Sequence, residues 1–295
     1  MVRVSVLCVA LRGTCFGGRK ADRRNTKGEI RMPETFMGKI MMLVEEYGMS
    51  FLRGAGVTMI IALVGTFIGC IIGFAVGIVQ TIPVSKNDHI VKRVFLKIVN
   101  FILAAYVEIF RGTPMMAQAM FIYFGSAAVF DINMSMWFAA FFIVSINTGA
   151  YMAETVRGGI LSIDPGQTEG AKAIGMNHVQ TMIHVIMPQA LRNIMPQIGN
   201  NLIINIKDTC VLSIIGTVEL FYTTKGVAGA KYLYFESFAI AMVIYFILTF
   251  TCSRILRAWE SKLDGPDSYD LATTDTLAHT SGMYSFKKKE KKEDE

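Results

Sequence analysis

The stretch that decides the fold is TEGAKAIGMNHVQTMIHVIMPQALR, from Thr168 to Arg192, a polar island between long apolar segments. It starts at an acidic residue, Glu169, continues as a small-residue run, breaks at Gly175, and resumes as an amphipathic run ending at Pro188. Glycine permits a sharp turn and proline is tolerated at a helix start. The order of residues therefore predicts helix, hinge and helix at a membrane surface, although on spacing alone a plain interfacial connector fits equally well.

The composition indicates a polytopic membrane protein. Of the 295 residues, 53% are hydrophobic and 18% are charged, and the mean hydropathy is +0.44. These values are too apolar for a soluble protein of this length. The five cysteines have no CxxC spacing, so they predict neither a disulfide framework nor a metal site. The net charge of +6 requires no nucleic-acid partner, because much of it lies in topology signals and in the termini.

The first predicted membrane crossing, residues 54–80, is an uncharged helix-length run. It contains a glycine at every fourth position, which leaves one helix face nearly without side chains. In lipid, small residues at this spacing let another helix approach closely. The predicted packing glycines are Gly65, Gly69, Gly73 and Gly77.

Four further crossings are predicted. Proline biases the preceding residue away from helix, so the next apolar region breaks at residues 111–114. This break separates an interfacial helix, 90–110, from the second crossing, 113–130. The remaining crossings are predicted at 134–155, 188–217 and 236–255.

The distribution of basic residues predicts the orientation. With five crossings, one side collects Lys86, Lys92, Arg93, Lys97, Arg111, Arg157, Lys172, Arg192, Arg254, Arg257 and Lys262. The other side, beyond the first 31 residues, has only Lys39, Arg53, Lys225 and Lys231. By the positive-inside rule, the polar island and the carboxyl end are cytoplasmic and the amino end is outside.

Both termini are predicted to stand apart from the membrane domain, 54–263. Residues 1–31 are strongly basic and would have to cross the membrane, so they are predicted to be an untranslated or disordered extension before a natural start at Met32. Residues 32–53 are predicted to be an amphipathic lead-in helix that rests on the outer surface. Residues 264–295 are predicted to be a disordered cytoplasmic tail.

The polar island resembles the EAA motif of ABC importer permeases. That motif has a Glu-Ala-Ala start, a glycine and, after nine residues, an aliphatic residue followed by Leu-Pro. The matching positions are Glu169, Gly170, Ala171, Gly175, Val185, Met187 and Pro188. Gly170, Val185 and Met187 depart from the usual residues, each by a replacement of similar size.

Three further segments are similar to polar amino acid permeases of the histidine, glutamine and arginine type. They are YVEIFRGTP at 106–114, AYMAETVRGGI at 150–160, and the region 188–220, which includes PQALR, KDT, IG and EL. The resemblance covers residues 48–263 in the expected order. It implies an all-α fold of the type I ABC importer permeases, with five transmembrane helices and cytoplasmic coupling helices.

The same resemblance implies partners and a location. Residues 164–192, here called the motif loop, would dock on a cytoplasmic ABC ATPase dimer, and a second permease copy or a paralogous permease would complete the membrane part. An extracellular solute-binding protein would capture polar amino acids outside the bacterial cytoplasmic membrane. The chain has no GxxxxGK[ST] phosphate loop, so we predict that it is not an enzyme and binds no cofactor, while the partner ATPase binds ATP and Mg²⁺.

Polar and ionisable residues within apolar segments are the candidates for the solute pathway or gate, because a charge inside a bilayer is costly. Structural explanations stay open for all of them. Glu108 with Arg111, and Glu154 with Arg157, have the spacing of intrahelical ion pairs, and polar side chains also join membrane helices. The candidates are Glu108, Arg111, Gln118, Asn147, Thr148, Glu154, Lys207 and Asp208.

Two other functions fit the same observations. One is an ABC permease for a different small polar solute. The other is a ligand-gated or mechanosensitive channel, in which the glycine-rich first helix lines the pore and the polar island is a gate. A channel would need no ATPase partner, so copurification separates the two classes.

Overall fold

The computed structural model describes residues 35–83 and 89–264, with side chains described to residue 260. All regular structure in these ranges is helical, as predicted. The extension 1–31, Met32, Lys86 and nearly all of the tail 264–295 lie outside the described residues. The helices are α1 Phe36–Gln80, α2 Ile90–Gly112, α3 Met115–Phe130, α4 Met136–Leu161, α5 Pro165–Ala173, α6 His178–Thr181, a π-helical turn Met182–Ile186, α7 Met187–Asp208, a 3-10 helix Thr209–Ile215, α8 Leu220–Lys231 and α9 Tyr234–Asp264.

Helix α1 is a single helix of 45 residues, so the lead-in and the first crossing are continuous rather than two segments. The described part of the lead-in packs against protein. Leu43 and Phe51 are buried together with Leu220 and Ile240 of α8 and α9. The sequence suggested an outer surface because it showed one apolar face, and part of that face is covered by other helices of the same chain.

Helices α1 and α4 run parallel and lie in close contact along the glycine face. Gly65, Gly69, Gly73 and Gly77 meet, in this order, the side chains of Val144, Thr148, Met152 and Val156. The contact advances by four residues on both helices at each step, which is the repeat of one helix face. The last turns of α1 and α4 therefore lie at one end of the bundle. This end, which carries the motif loop, is called the motif end.

Helices α2 and α3 meet at the predicted break, where Pro114 precedes α3. The second half of α2 packs on the middle of α4. The Tyr106 hydroxyl donates a hydrogen bond of 2.6 Å to the carbonyl of Ile146, and Val107 is buried. Helix α3 has 16 residues, fewer than the roughly 20 needed to cross a bilayer alone.

Within the described ranges, α1, α4 and α9 are each long and apolar enough to cross a membrane. The region His178–Ile215 also meets this criterion when it is taken together with Leu220–Lys231. The two parts are bent by 55°. The predicted number of five crossings stays a prediction.

The bend after the predicted fourth crossing adds a helix that the sequence analysis did not anticipate. The helical path continues through Asp208 into the 3-10 helix and ends at Gly216, whose φ of +86° favours glycine. Helix α8 then packs against α1 and α9. The turn between α8 and α9, at Tyr232, lies at the opposite end of the bundle from the motif loop, beside the start of α1.

Candidate functional site

The motif loop has the predicted helix, hinge and helix. Asp164 caps α5 by accepting a hydrogen bond of 2.6 Å from the Gly166 amide. Gly175 follows α5 with a φ of +85°, a left-handed conformation that glycine adopts without a Cβ clash. Asn177 then opens α6 through a reciprocal capping box with Gln180, at 2.9 and 3.0 Å. The sharp turn is therefore encoded locally.

The motif loop has a packed face and an exposed apolar face. On the packed face, Ile186 is buried with Met152 and Val156 of α4 and with Ala190 and Ile194 of α7. Val185 and Met187 pack at the margin of the same cluster, and Ala171 is buried in α5. On the other face, Ile174, Val179 and Ile183 are 79%, 62% and 57% exposed. Several exposed apolar side chains on one short hinged loop are typical of a protein-binding surface.

The remaining motif positions take different places. Glu169 and Gly170 are exposed on α5, and a Cβ added to Gly170 would meet no atom within 4 Å. Pro188 stands at the start of α7, directly after the π-helical turn, and has no amide to donate to the preceding turn. The loop thus continues into α7 through the π-helical turn without a break in the helical path.

A polar cluster joins three helices in the middle of the bundle. The Asn205 amide of α7 donates two hydrogen bonds, one of 2.7 Å to the Thr66 hydroxyl of α1 and one of 2.9 Å to the Thr148 hydroxyl of α4. All three side chains are buried. Interhelical hydrogen bonds of this kind stabilise membrane helix pairs by ~0.6 kcal/mol on average. The sequence analysis selected Thr148 but missed Asn205 and Thr66.

Gln118 and Asn147 support the break between α2 and α3. The Gln118 amide donates a hydrogen bond of 2.9 Å to each of two backbone carbonyls, those of Phe110 and Thr113. Asn147 donates 2.9 Å to the Gln118 side-chain oxygen. A helix end leaves carbonyls without intrahelical partners, and these side chains supply the donors. Both residues therefore hold the break in place, and Asn147 also lines a cavity.

That cavity has a volume of about 290 Å³ and is here called the central cavity. Its walls come from the α2–α3 break and from α4 and α7, and Asp208 supplies a carboxylate. Lys207 does not line it and is exposed, since adjacent helical residues point in different directions. The lining residues are Thr113, Pro114, Met115, Asn147, Thr148, Tyr151, Asn201, Ile204, Asn205 and Asp208.

A second cavity, of about 280 Å³, lies between α2, α4 and the end of α1 and is here called the charged pocket. Glu154 accepts a hydrogen bond of 3.0 Å from Arg157 and forms an ion pair of 3.3 Å with Arg111. The predicted Glu154–Arg157 pair is present. Arg111 bridges to α4 rather than pairing with Glu108 on its own helix. The lining residues are Gln80, Asn100, Ala104, Val107, Glu108, Arg111, Glu154 and Arg157.

One contact connects the linings of the two cavities. The Arg111 guanidinium lies over the Tyr151 ring, 5.7 Å from its centroid. Tyr151 lines the central cavity, whereas Arg111 and Glu154 line the charged pocket. On the charged side, the Asn100 side-chain oxygen is buried without a hydrogen-bond partner among the described residues. The two pockets together offer carboxylates, guanidinium groups and amides, which complement a zwitterionic solute.

Sequence reasoning missed Tyr151, Asn201 and Asn205 as cavity residues. A signal was present, because Asn201 and Asn205 lie one helical turn apart within the predicted fourth crossing. Among residues 35–83 and 89–264, no group of three His, Cys, Asp or Glu side chains is arranged to hold a metal ion.

The chain is similar to characterised transport proteins. Residues 89–262 match the family described as binding-protein-dependent transport system inner membrane component. The glutamine transport system permease protein GlnP of Escherichia coli (strain K12) is 34% identical over 213 residues, which cover 72% of this chain and 92% of that protein. The arginine transport system permease protein ArtQ of Bacillus subtilis (strain 168) is 33% identical over 216 residues, covering 73% and 93%.

Solved structures agree with this similarity. The crystal structure of an amino acid ABC transporter with histidines matches with a TM-score of 0.67 and 32% identity, covering 78% of this chain and 100% of that chain. An inward-facing MetNI methionine ABC transporter matches with a TM-score of 0.56 and 20% identity, covering 72% and 98%. At that identity the second match shows a shared fold alone.

Proposed function

This chain belongs to the family of binding-protein-dependent transport system inner membrane components, and from that premise we propose how it moves its solute. It is a permease component of an amino acid ABC importer and not an enzyme, since ATP hydrolysis belongs to the partner ATPase. The observation that carries the proposal is the motif loop, which exposes an apolar face and is built directly onto α4 and α7.

The motif loop is proposed to be the mechanical link to an ATPase dimer. Ile174, Val179 and Ile183 would enter a cleft on the ATPase, because their burial there removes apolar surface from water. A displacement of the loop would pass to α4 and α7, since Ile186, at the end of the π-helical turn, is packed between them. Closely packed interiors transmit such movements rather than absorbing them.

The two cavities are proposed to be successive binding sites for the solute along its pathway. An amino acid would meet the Asp208 carboxylate and the amides of the central cavity first, and the arginines and carboxylates of the charged pocket second. Arg111, Glu154 and Tyr151 would form the barrier between them, opened when α4 moves. Matching polar groups are needed there because unpaired polar groups in an apolar environment cost several kcal/mol, roughly 2–7.

The complete machine is proposed to contain partners on both sides of the membrane. The motif end would be cytoplasmic, with the amino end outside and the carboxyl end inside. A solute-binding protein would deliver polar amino acids from outside, and a second copy of this chain or a paralogous permease would complete the pathway. ATP and Mg²⁺ would be bound by the ATPase, with no cofactor on this chain.

Reconstitution tests the function. The chain is combined in proteoliposomes with the ATPase and the solute-binding protein of the same system, and uptake of labelled glutamine, arginine and histidine is measured. We expect uptake that requires ATP and the binding protein and is competed by polar amino acids. Flux that persists without ATP would indicate a channel, and competition only by another class of solute would change the proposed cargo.

Neutralising Glu154 tests the barrier. In Glu154→Gln, both Arg111 and Arg157 lose their carboxylate partner, so we expect coupled uptake to fall about tenfold, a change of ~1.4 kcal/mol in the transport barrier. Assembly should survive, because the pair is about 40% exposed and ion pairs of that kind stabilise a fold by less than ~1 kcal/mol. The measurement is the uptake rate per assembled complex.

The matched control is Glu45→Gln, the same change at an exposed position of α1 outside both cavities. It should leave uptake unchanged. If Glu154→Gln prevents assembly instead, the pair serves helix packing, and the proposed barrier is wrong.

A further inference from the structure

Glu219 is a fully buried carboxylate that belongs to neither cavity. Its side chain has no solvent exposure. It accepts hydrogen bonds from the amides of Phe221 at 2.8 Å and Tyr222 at 2.7 Å, and from the Tyr245 hydroxyl at 2.9 Å. The Thr58 hydroxyl donates a weaker hydrogen bond of 3.5 Å to the same carboxylate. The donors come from α8, α9 and α1, so one carboxylate connects three helices.

The start of α8 is also held directly against α1. The Leu220 amide donates 3.3 Å to the Thr58 hydroxyl. A Cβ on Gly54 would lie 2.9 Å from the Leu220 Cα. The missing side chain of Gly54 therefore lets the two backbones approach closely, and Thr58 lies one turn further along the same face of α1.

Placing a carboxylate at this buried position costs free energy that an apolar contact would not cost. Burying a charge inside an apolar region is unfavourable unless its oxygens are fully hydrogen-bonded. Here the first amides of α8 supply bonds and a favourable helix dipole. Serine or aspartate would suffice to cap the helix, but glutamate is long enough to cap it and also reach Tyr245. That reach indicates a directional anchor between α8 and α9.

The anchored segment leads directly to the central cavity. The Glu219 amide donates 2.9 Å to the Thr217 carbonyl, and the Thr217 amide donates 3.3 Å to the Leu212 carbonyl. Leu212 belongs to the 3-10 helix that begins immediately after Asp208 and packs against α3. The position of Glu219 therefore fixes one end of the segment whose other end carries the cavity carboxylate.

We propose that Glu219 is a positioning residue that anchors the bend between α7 and α8 to α1 and α9 and thereby sets the outline of the central cavity. Its contribution to transport rests on the proposed function, whereas the anchoring itself does not. Loosening the anchor would let the 3-10 helix move about Gly216, the left-handed turn between the two fixed ends.

Cys210 is a native reporter for this movement, since it lies in the 3-10 helix and is only partly buried. A chain in which Cys8, Cys15, Cys70 and Cys252 are replaced by serine keeps Cys210 as its single thiol. The complex is assembled with its ATPase in membranes, without nucleotide, and the rate of Cys210 labelling by a soluble maleimide is measured. This rate does not depend on transport.

In Glu219→Gln we expect labelling to accelerate by roughly threefold to tenfold, the range expected for losing one or two hydrogen bonds between membrane helices. Glu219→Asp keeps the negative charge near Cys210 and should still label faster than the parent chain, because aspartate caps a helix but falls short of Tyr245. Tyr245→Phe should accelerate labelling by roughly twofold to threefold. Glu45→Gln should label like the parent chain.

Wild-type labelling in Glu219→Asp would reduce Glu219 to a helix cap and overturn the proposal. If Glu219→Gln fails to assemble, Tyr245→Phe and Thr58→Val are measured instead. Labelling at the wild-type rate in both of these variants would also overturn the proposal. Accelerated labelling in a complex whose parent shows no amino acid uptake would support the anchor and refute the proposed function separately. With uptake present, the same variants should lower the maximal uptake rate per complex.

Discussion

Gly73→Leu is expected to prevent the stable assembly of α1 with α4. A Cβ at Gly73 would lie 2.3 Å from the Met152 Cβ and 2.9 Å from the Ala153 amide nitrogen. The second contact is to backbone, so no side-chain rotation relieves it. Overpacking a core costs ~1–3 kcal/mol, and we expect at least the upper end here. The measurement is the yield and thermal stability of monodisperse protein in detergent.

Gly56→Leu is the matched control, because Gly56 lies on the same helix and a Cβ there meets nothing within 4 Å. It should accumulate and melt like the unmodified chain. Gly69→Val should resemble Gly73→Leu, since a Cβ at Gly69 would lie 2.6 Å from the Thr148 Cβ. A Gly73→Leu protein that folds normally would show that the two helices are farther apart than described above.

The double variant Ile174→Glu with Val179→Glu is expected to abolish ATP-driven uptake while leaving the permease folded. Both side chains are well exposed, at 79% and 62%, so the fold should lose less than ~0.5 kcal/mol. Two charges placed in an apolar protein interface remove contacts worth ~2 kcal/mol or more each. We expect the ATPase to be lost during copurification and uptake to fall at least about 30-fold.

Two controls isolate the docking step. Tyr232→Glu places a charge on an exposed side chain at the opposite end of the bundle and should retain the ATPase. Gly170→Ala lies within the motif loop and meets no neighbour, so it should retain both the ATPase and uptake. An ATPase that stays bound to the Ile174→Glu, Val179→Glu variant would place the docking surface elsewhere on the chain.

The ends of the helices were predictable where a local residue type terminates the helix. Pro114 forces the break between α2 and α3, and Gly175 forms the left-handed turn of the motif loop. The four-residue glycine repeat likewise predicted a close helix contact, which the structure assigns to α4. Each of these features depends on residues within one or two turns of the chain, so the sequence contains all the information needed.

Helix α8 and the continuity of α1 were not predictable in the same way. The lead-in of α1 looks like a surface helix until α8 and α9 cover Leu43 and Phe51. Helix α8 packs against α1 because Gly54 has no side chain to clash with Leu220. These two residues are far apart in the sequence. No local pattern records such a contact.

The candidate pathway residues stay a prediction, but the structure corrects the partners that the sequence suggested for them. Sequence spacing suggested Glu108 as the partner of Arg111, whereas Arg111 reaches Glu154 on another helix. Lys207 and Asp208 are adjacent in sequence but face different surroundings. The sequence also gave no reason to expect that Asn205 would connect Thr66 and Thr148.

By itself, the sequence determined the class of the protein, its helical breaks, its motif loop and the glycine face, because apolar length, proline, glycine and the helical repeat act over a few residues. Only the tertiary structure decided which polar side chains meet, which pockets they enclose and how Glu219 joins three helices. Those outcomes depend on the offset at which one helix packs against another, and that offset is set by the whole bundle rather than by any one segment.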